Sequence, residues 1–485
     1  MPLFRSFFAL RFLAIGLISV AVCTYYQRYP TDDDAWFAEE SYWLLQDGKV
    51  RSEFFRGLLG WEKHYLVNHK LFIAVGALLL SVFPDSVYGA KLPGLLFFIL
   101  LLSVMIYEVK RRRYSPINEP LLLLLILLFG HALMVKMSFE NRPEMMLIAF
   151  GFCSFCIIRS ARLRWQTVAL GGSLAGLAAL SHLNGIIFIL AGFMTLLLTQ
   201  PYRYALLFAL FAGLTGSFYF YDVLTVPNGF ETWWFQFRND PATQNAFGWQ
   251  AKLAVMLSFP TIFVESPEQL SLTVLLIGVL WFKRKQLSYL DKTLVIYSLS
   301  LLFSFWFITK RASGIYQVLF IPFMILLILE TVYKKPEKSI PAYLKMVFFL
   351  YVLVGVAGNA MVIHSNRREY LPNTYAELRK NIPAHTAGVV PLTFFFNEYK
   401  HYPTLLCYTN FDLQMLQRKP ATVPDSHSFF QWAAANHAHL FCLIMTSTAL
   451  FIFPKKERNA LIPINWIFLT DALRFMFWQT VEFNL

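Results

Sequence analysis

Charged residues are scarce in this chain. Asp, Glu, Lys and Arg make up 15% of the 485 residues, whereas 57% are hydrophobic and 17% are aromatic, and the mean hydropathy is +0.51. A soluble globular domain carries about a quarter charged residues. The composition therefore excludes an ordinary soluble protein and indicates a polytopic membrane protein whose main solvent is lipid.

Cysteine is also rare, and its positions exclude a disulfide scaffold. The five cysteines are too few and too scattered for such a framework. Cys153 and Cys156 form a C-x-x-C pattern, but it lies inside an apolar run, which favours packing over redox chemistry.

The sequence has no internal repeat, low-complexity tract or Gly-rich phosphate loop. We therefore predict no organic cofactor.

The positive charge has a topological explanation. The formal net charge is +13, and many Lys and Arg residues form short clusters between apolar runs, as at Lys110–Arg113 and Lys283–Lys285. Such clusters mark the cytoplasmic ends of membrane spans. We therefore interpret the basicity as topology and expect no nucleic-acid partner.

Apolar runs and basic clusters together predict an α-helical polytopic membrane protein with about 11 transmembrane helices. A span needs roughly 20 apolar residues. The first is interpreted as a retained signal anchor, and the short run 71–83 as an interfacial or re-entrant helix. The predicted spans are about 7–26, 92–109, 119–138, 144–158, 166–181, 185–199 and 204–224, then three that border Lys283–Lys285, Lys310 and Lys334, and a last at 343–363.

Two modules follow from this topology. Residues 1–364 form a transmembrane module with long outer loops at about 27–91 and 225–268, and residues 365–485 form a small extracytoplasmic α/β domain. In that domain 367–380 is predicted as a helix and 387–396 as a buried strand. The apolar run 440–453 is too short to span and is predicted as a core element. We expect an inner-membrane protein whose outer loops and C-terminal domain face the periplasm.

The strongest local motif is the segment T-D-D-D-A-W-F-A-E-E-S-Y-W-L-L at 31–45, which follows the first span. Three successive carboxylates repel one another, which raises the pKa of at least one of them. That chemistry suits a general base, or a site for a cation such as a divalent metal. The structural alternative is an acidic helix terminus with Asp34 as the N-cap, and the two interpretations are compatible.

Basic and polar groups on the outer side form a second signal. They contradict the positive-inside trend, and a lipid phosphate is the anion that would hold them there, since Arg suits bidentate phosphate contacts. The alternative for each one is a side chain that contacts headgroups. The residues are Arg142, His182, Asn184, Lys310, Arg311, His64, His69 and Lys70.

The chain has several motifs in a fixed order. A span is followed by an acidic motif with an aromatic helix, an interfacial helix and a Leu-Pro span. An outer Arg-Pro-acid turn, a G-L-A-A-L-S-H-x-N-G segment and a K-x-x-x-Y segment come next. These motifs are Asp33–Glu39, Lys91–Pro93, Arg142–Glu144, Gly176–Gly185 and Lys310–Tyr316. Their order resembles the GT-C glycosyltransferases, in the bacterial branch related to protein O-mannosyltransferases and the lipid A aminoarabinose transferase.

The resemblance implies a polyprenyl-phosphate sugar donor and a carboxylate, Asp33, that activates the acceptor, with Asp34 orienting or substituting for it. It also implies cations that bind the leaving phosphate. The acceptor, whether lipid, glycan or protein, stays open. Two other functions remain as alternatives, a transporter or flippase of a lipid-linked saccharide and an envelope assembly protein. The implied phosphate ligands are Lys310, Arg311, Arg142, His182, His69 and Lys70, and the further site residues are Asn184, Tyr316 and Glu144.

Overall fold

The computed structural model of the chain describes residues 7–27, 31–83, 87–112, 118–160, 163–241, 247–310, 313–334, 341–365, 387–394, 405–417, 426–438, 440–444, 460–469 and 479–483. The described part is mostly helical. Its α-helices are α1 Phe7–Gln27, α2 Asp32–Asp47, α3 Lys70–Val82, α4 Val87–Arg111, α5 Asn118–Phe129, α6 Ala132–Met137, α7 Glu144–Ile158, α8 Trp165–Ser181, α9 Ile186–Thr199, α10 Tyr202–Gly216, α11 Tyr221–Thr225, α12 Gly229–Asn239, α13 Trp249–Ser258, α14 Pro267–Phe282, α15 Lys292–Ile308, α16 Ile321–Tyr333, α17 Ala342–Ser365, α18 Tyr408–Gln417 and α19 Ser426–Ala435.

Helices occupy the positions of the predicted spans, but their lengths differ. Within the described residues four helical segments, Ala9–Tyr26, Tyr88–Arg111, Tyr202–Thr225 and Ala342–His364, are long and apolar enough to cross a membrane. A fifth crossing would come from α13 and α14, which are bent by 82° at their junction. The other apolar helices have 10–17 residues. The count of about 11 spans therefore stays a prediction.

One predicted span is broken at a glycine contact. The stretch 119–138 forms α5 and α6, which are separated at Gly130 and His131. A Cβ on Gly355 of α17 would lie 1.8 Å from the carbonyl oxygen of Gly130, so only glycine permits this approach. The break therefore lets α17 pack directly against the α5–α6 backbone.

A buried ion cluster joins the helix ends on the side opposite to the acidic motif. The Arg159 guanidinium lies at the end of α7 and donates to Oε1 of Glu108 on α4 at 3.2 Å and to Oδ2 of Asp291 at the start of α15 at 3.2 Å. It also bonds Glu330 on α16. Arg112 contacts Asp291 at 2.8 Å. Four helices are thus held together by charge at one end of the bundle.

The outer loops and the tail form a layer over the other end of the bundle. The side-chain oxygen of Gln236 on α12 accepts from the Leu66 backbone N–H at 2.8 Å, so the second outer loop is joined to the first. The Asn410 amide donates to the carbonyl oxygens of Phe54 and Arg56 at 3.0 Å each. The tail therefore packs on the first outer loop, next to α2.

The tail contains a sheet of five strands in the order β2-β1-β3-β4-β5. β5 pairs antiparallel to β4, and the other pairs are parallel. Of the predicted strand 387–396 the structure describes β1 and a short 3-10 turn, and the start of the run 440–453 is β3. The predicted helix 367–380 and the remainder of 440–453 lie outside the described residues. The strands are β1 Gly388–Val390, β2 Leu405–Cys407, β3 Leu440–Ile444, β4 Ala460–Leu469 and β5 Gln479–Phe483.

The ion cluster predicts a large stability effect at Arg159. Arg159→Gln should destabilise the protein by roughly 3–5 kcal/mol, because it leaves buried carboxylates without their counter-charge. The exposed Lys285→Gln is the matched control and should change stability by less than about 0.5 kcal/mol. Thermal unfolding of the purified proteins in detergent measures both. Equal unfolding temperatures for the two variants would contradict a structural role of the cluster.

Candidate functional site

The acidic motif forms the first turn of α2. Thr31 is the N-cap, and its hydroxyl oxygen accepts from the Asp34 backbone N–H at 3.2 Å. The Asp34 carboxylate accepts from the Thr31 N–H at 2.7 Å, which completes a capping box. The prediction of Asp34 as the N-cap is therefore wrong, since the N-cap is Thr31, three residues earlier. A hydroxyl N-cap with an acid at the third helical position accepts hydrogen bonds from two backbone N–H groups that have no partner within the helix.

Asp34 also joins α2 to two neighbouring elements. Its side chain is 0% exposed, and its Oδ1 accepts from the Asn141 backbone N–H at 2.6 Å. The Asn141 amide donates back to the Asp34 carbonyl at 3.0 Å. The Lys91 ammonium, 1% exposed on α4, lies 3.1 Å from Asp34 Oδ2. The acid therefore fixes the outer turn before α7 against the start of α2.

Asp33 faces that same turn but remains accessible. The Arg142 guanidinium bonds Asp33 on one side and Glu144, at 2.8 Å, on the other. The Asp33 side chain is 39% exposed, and that of Glu144 is 1% exposed. Burial raises the pKa of Asp33 above its usual value, while the neighbouring Arg142 acts against this rise. Asp33 is thus an accessible carboxylate with a raised pKa beside a cation, which suits a general base.

His69 and His182 stack against each other next to this group. Their ring centroids are 4.5 Å apart. Burial lowers the pKa of His182 to about 4 and that of His69 well below its usual value. The Asn184 backbone N–H donates to His182 Nδ1 at 2.9 Å, so a neutral His182 carries its proton on Nε2. Both imidazoles are therefore neutral near pH 7 and offer hydrogen bonds rather than positive charge.

Lys70 is the cation on the other side of His69. Its ammonium donates to the Leu66 carbonyl at 2.7 Å and to Oδ2 of Asp222 on α11 at 2.5 Å. Burial lowers the pKa of Lys70, and Asp222 opposes this effect. The positive charge of Lys70 also lowers the pKa of the nearby Glu40 on α2, against the larger effect of burial. Lys70 thus lies between acidic groups of α2 and α11.

Lys310 lies in an aromatic environment. Its ammonium lies 3.4 Å from the ring centroid of Phe237 and 4.2 Å from that of Phe247. Burial lowers its pKa to about 8. Tyr316 packs on Phe305, and its turn lies against α6 and α7. Arg311 lies outside the described residues.

The structure therefore brings together most of the predicted residues. Asp33, Arg142 and Glu144 are bonded to one another, the stacked His69 and His182 are close enough to interact with them electrostatically, and Asp34 and Lys70 adjoin them in the sequence. No group of three or more His, Cys, Asp or Glu side chains with the arrangement of a metal site occurs in the described part of the chain. The positive charge next to Asp33 comes from Arg142.

Two positioning residues were not predicted from the sequence. Lys91 was noted only as part of a Leu-Pro motif, and Asn141 only as part of a turn. A lysine at the start of an apolar span is itself a signal, since an ammonium there needs a carboxylate partner. Which carboxylate it meets is a tertiary contact that no sequence spacing gives.

The two neighbouring acids should respond differently to the same change. Asp34→Asn should destabilise the protein by roughly 3–5 kcal/mol, since it removes the charge that faces the buried Lys91 ammonium. Asp33→Asn should cost less than about 1 kcal/mol, because the Asp33 side chain is partly solvated. Thermal unfolding measures both, and the double variant Asp34→Asn/Lys91→Met should recover much of the loss. Equal stability of the two single variants would contradict the assignment.

Comparisons with known proteins bear on the fold. No protein-family model and no curated protein matches the chain. The crystal structure of ArnT from Cupriavidus metallidurans bound to undecaprenyl phosphate superposes with a TM-score of 0.60 at 13% identity, over 86% of this chain and 90% of that one. The same protein in the apo state gives 0.54 at 14% identity over the same shares. The chain therefore has the fold that these two structures of ArnT show.

Proposed function

We propose that this protein is a membrane glycosyltransferase that moves a sugar from a polyprenyl-phosphate carrier to an acceptor on the non-cytoplasmic face. The observation that carries the proposal is the contact between the accessible Asp33 and Arg142, next to buried polar side chains of the outer layer. ArnT, which shares the fold, is a protein that binds undecaprenyl phosphate. A carboxylate beside a guanidinium supplies the two functions that such a transfer needs.

The chemistry of the step follows from the donor. A sugar linked to a phosphate is already activated, so the enzyme needs a base for the acceptor and positive charge for the leaving group. Asp33 takes the proton from the acceptor hydroxyl or amine, whose lone pair forms the bond to the anomeric carbon. The bond between that carbon and the phosphate oxygen breaks, and its electron pair stays on the lipid phosphate.

Several groups would stabilise the phosphate. The Arg142 guanidinium is bonded to Asp33 and Glu144, so it would contact the phosphate oxygens through its remaining N–H groups. Lys70 and Lys310 add positive charge, and Arg311 is assigned the same role from its position in the sequence. His69 and His182 would contribute neutral hydrogen bonds. In this proposal the protein's own cations balance the charge, and no cofactor is assigned.

Asp34 takes the orienting role in this proposal. Its oxygens already accept from Thr31 and Asn141 and face Lys91, so neither is free to take the acceptor's proton. Asp34 therefore has an indirect role in this proposal, because it sets the distance between Asp33 and Arg142.

The proposal includes a topology. About 11 spans place 27–91, 225–268 and the tail on the periplasmic side of the inner membrane, and Arg159 with its ion cluster on the cytoplasmic side. The basic cluster Lys110–Arg113 supports this orientation, since such clusters favour the inner face. The tail, packed on the first outer loop, would then lie beside the acceptor's path.

Asp33→Asn should abolish transfer and leave folding and donor binding intact, because it removes the proton acceptor with little change in shape. The matched control is the exposed neighbour Asp32→Asn, which should keep transfer within about twofold. Product analysis with a panel of polyprenyl-phosphate sugars measures the effect. In the wild type kcat/KM should fall as the pH is lowered through the raised pKa of Asp33, since the base must be deprotonated. Transfer by Asp33→Asn at the wild-type rate would disprove the assignment.

Lys310 should give the alkaline limit of activity. Its pKa of about 8 means that the ammonium is charged below this pH and loses its charge above it. Turnover should therefore fall as the pH is raised through about 8, and Lys310→Arg should extend activity to higher pH. Lys310→Gln should lower turnover on the order of 10²-fold at pH 7, whereas the exposed Lys334→Gln at the opposite end of the bundle should not. Equal activity of the two Gln variants would exclude Lys310 from the phosphate site.

A further inference from the structure

Glu40 is a fully buried carboxyl group that neither the capping of α2 nor the proposed transfer step uses. It follows Asp33 by seven residues and Phe37 by three, so all three side chains lie on one stripe of α2. The side chain is 0% exposed. Both of its oxygen atoms lack a hydrogen-bond partner among the described residues.

The preceding residue shows what a structural buried glutamate looks like in this fold. The Glu39 carboxyl group accepts from the Ser52 hydroxyl at 2.6 Å, from the Trp43 indole at 3.1 Å and from the backbone N–H groups of Glu53 and Phe54 at 2.6 and 3.2 Å. The bond from Trp43 lies within α2, and the other three hold residues 52–54 on α2. Glu40 has no such set, although an unmade hydrogen bond at a buried carboxyl group costs free energy. Such unmet groups are expected at functional positions.

Two groups close to Glu40 can donate hydrogen bonds, the Lys70 ammonium and the Tyr65 hydroxyl, but neither bonds it. Lys70 instead bonds the Leu66 carbonyl and Asp222. Oδ1 of Asp222 is a second buried oxygen without a partner among the described residues. The oxygens of Glu40 and Asp222 can therefore accept hydrogen bonds from the hydroxyl groups of a ligand.

We propose that Glu40 binds a hydroxyl group of the transferred sugar, close to its anomeric carbon. This inference rests on the proposed function and names the sugar subsite of that site. The sugar is covalently attached to the phosphate that Lys70 would bind, so its first hydroxyl groups arrive beside Lys70 and hence beside Glu40. Hydrogen bonds to a hydroxyl next to the anomeric carbon strengthen as that carbon gains positive charge, which gives the acid a role in the transfer.

The dimensions of α2 agree with this placement. Seven residues of helix separate Asp33 and Glu40 by roughly 10 Å along the axis. The acceptor oxygen, the anomeric carbon and the adjacent hydroxyl would lie between the two carboxyl groups, with Asp33 at the acceptor and Glu40 at the sugar. Glu40 is covered by its neighbours, so in this proposal the side chains around it rearrange when the sugar binds.

The test compares two kinds of lipid, with and without a sugar, and measures two properties, ligand binding and thermal stability. Wild type, Glu40→Gln and Glu40→Leu are purified whole, together with Glu119→Leu, which removes a buried carboxyl group at the opposite end of the bundle. Binding is measured for bare polyprenyl phosphate and for the same lipid phosphate carrying mannose, glucose or arabinose. Thermal unfolding is measured without added lipid.

We expect both Glu40 variants to bind the preferred sugar-bearing lipid at least about tenfold more weakly than wild type, a difference equivalent to about 1.4 kcal/mol. Binding of the bare lipid phosphate should stay within about twofold. Glu40→Leu should unfold at the wild-type temperature or above it, because it replaces an unsatisfied buried acid with an apolar group. Glu119→Leu should leave both affinities unchanged.

The possible failures are distinct. If Glu40→Gln binds both lipids as wild type does, or loses both equally, the sugar subsite is wrong while the glycosyltransferase proposal stands. A lower unfolding temperature for Glu40→Leu would assign the acid a structural role and overturn the inference as well. If the wild type neither prefers any of the sugar-bearing lipids to the bare lipid nor transfers a sugar from them, the proposed function itself fails.

Discussion

The buried contact of Asp34 with Lys91 and Asn141 is the constraint on which the arrangement of the site depends. One carboxylate completes the N-terminal cap of α2, holds the outer turn before α7 and balances a lysine at the start of α4. Removing any one of these elements would leave a charge or an N–H group buried without a partner, which costs several times more than a lost surface contact. The distance between Asp33 and Arg142 therefore depends on Asp34, a buried residue that bonds neither of them.

The two ends of the helical bundle use buried charge in different ways. At one end Arg159 bonds carboxylates from three helices, although Nη2 of Arg112 has no hydrogen-bond partner there among the described residues. At the other end Asp33 remains partly exposed, and both oxygens of the buried Glu40 have no hydrogen-bond partner in the described part of the chain. In the proposed function these acids are the groups with hydrogen-bonding capacity left for a ligand.

The sequence predicted where helices lie, but not which side chains they bring together. Apolar runs and basic clusters are local properties, so helices occupy the positions of the predicted spans, whereas the roles of the candidate residues and the outer position of Arg142 and His182 stay predictions. The N-cap was wrongly assigned to Asp34, because in a run of three acids the sequence alone does not show which acid is the third residue of a capping box. The stacking of His69 on His182, the Asp34–Lys91 pair and the isolation of Glu40 are contacts between segments far apart in the chain, and no periodicity encodes them. The unequal lengths of the helices likewise depend on breaks such as Gly130, which only the packing of Gly355 explains.

The three successive aspartates show why environment rather than residue type decides the roles. Asp32 is exposed, Asp33 shares Arg142 with Glu144, and Asp34 is enclosed by donors from three elements. The helix turns by about 100° per residue, so adjacent acids on α2 necessarily face solvent, the outer turn before α7 and the protein interior in succession. The acid that meets both a cation and solvent is the one that can exchange a proton with an acceptor and still be held in place. In the proposed function a run of three acids would therefore provide one base, one orienting residue and one solvated neighbour from a single helical turn.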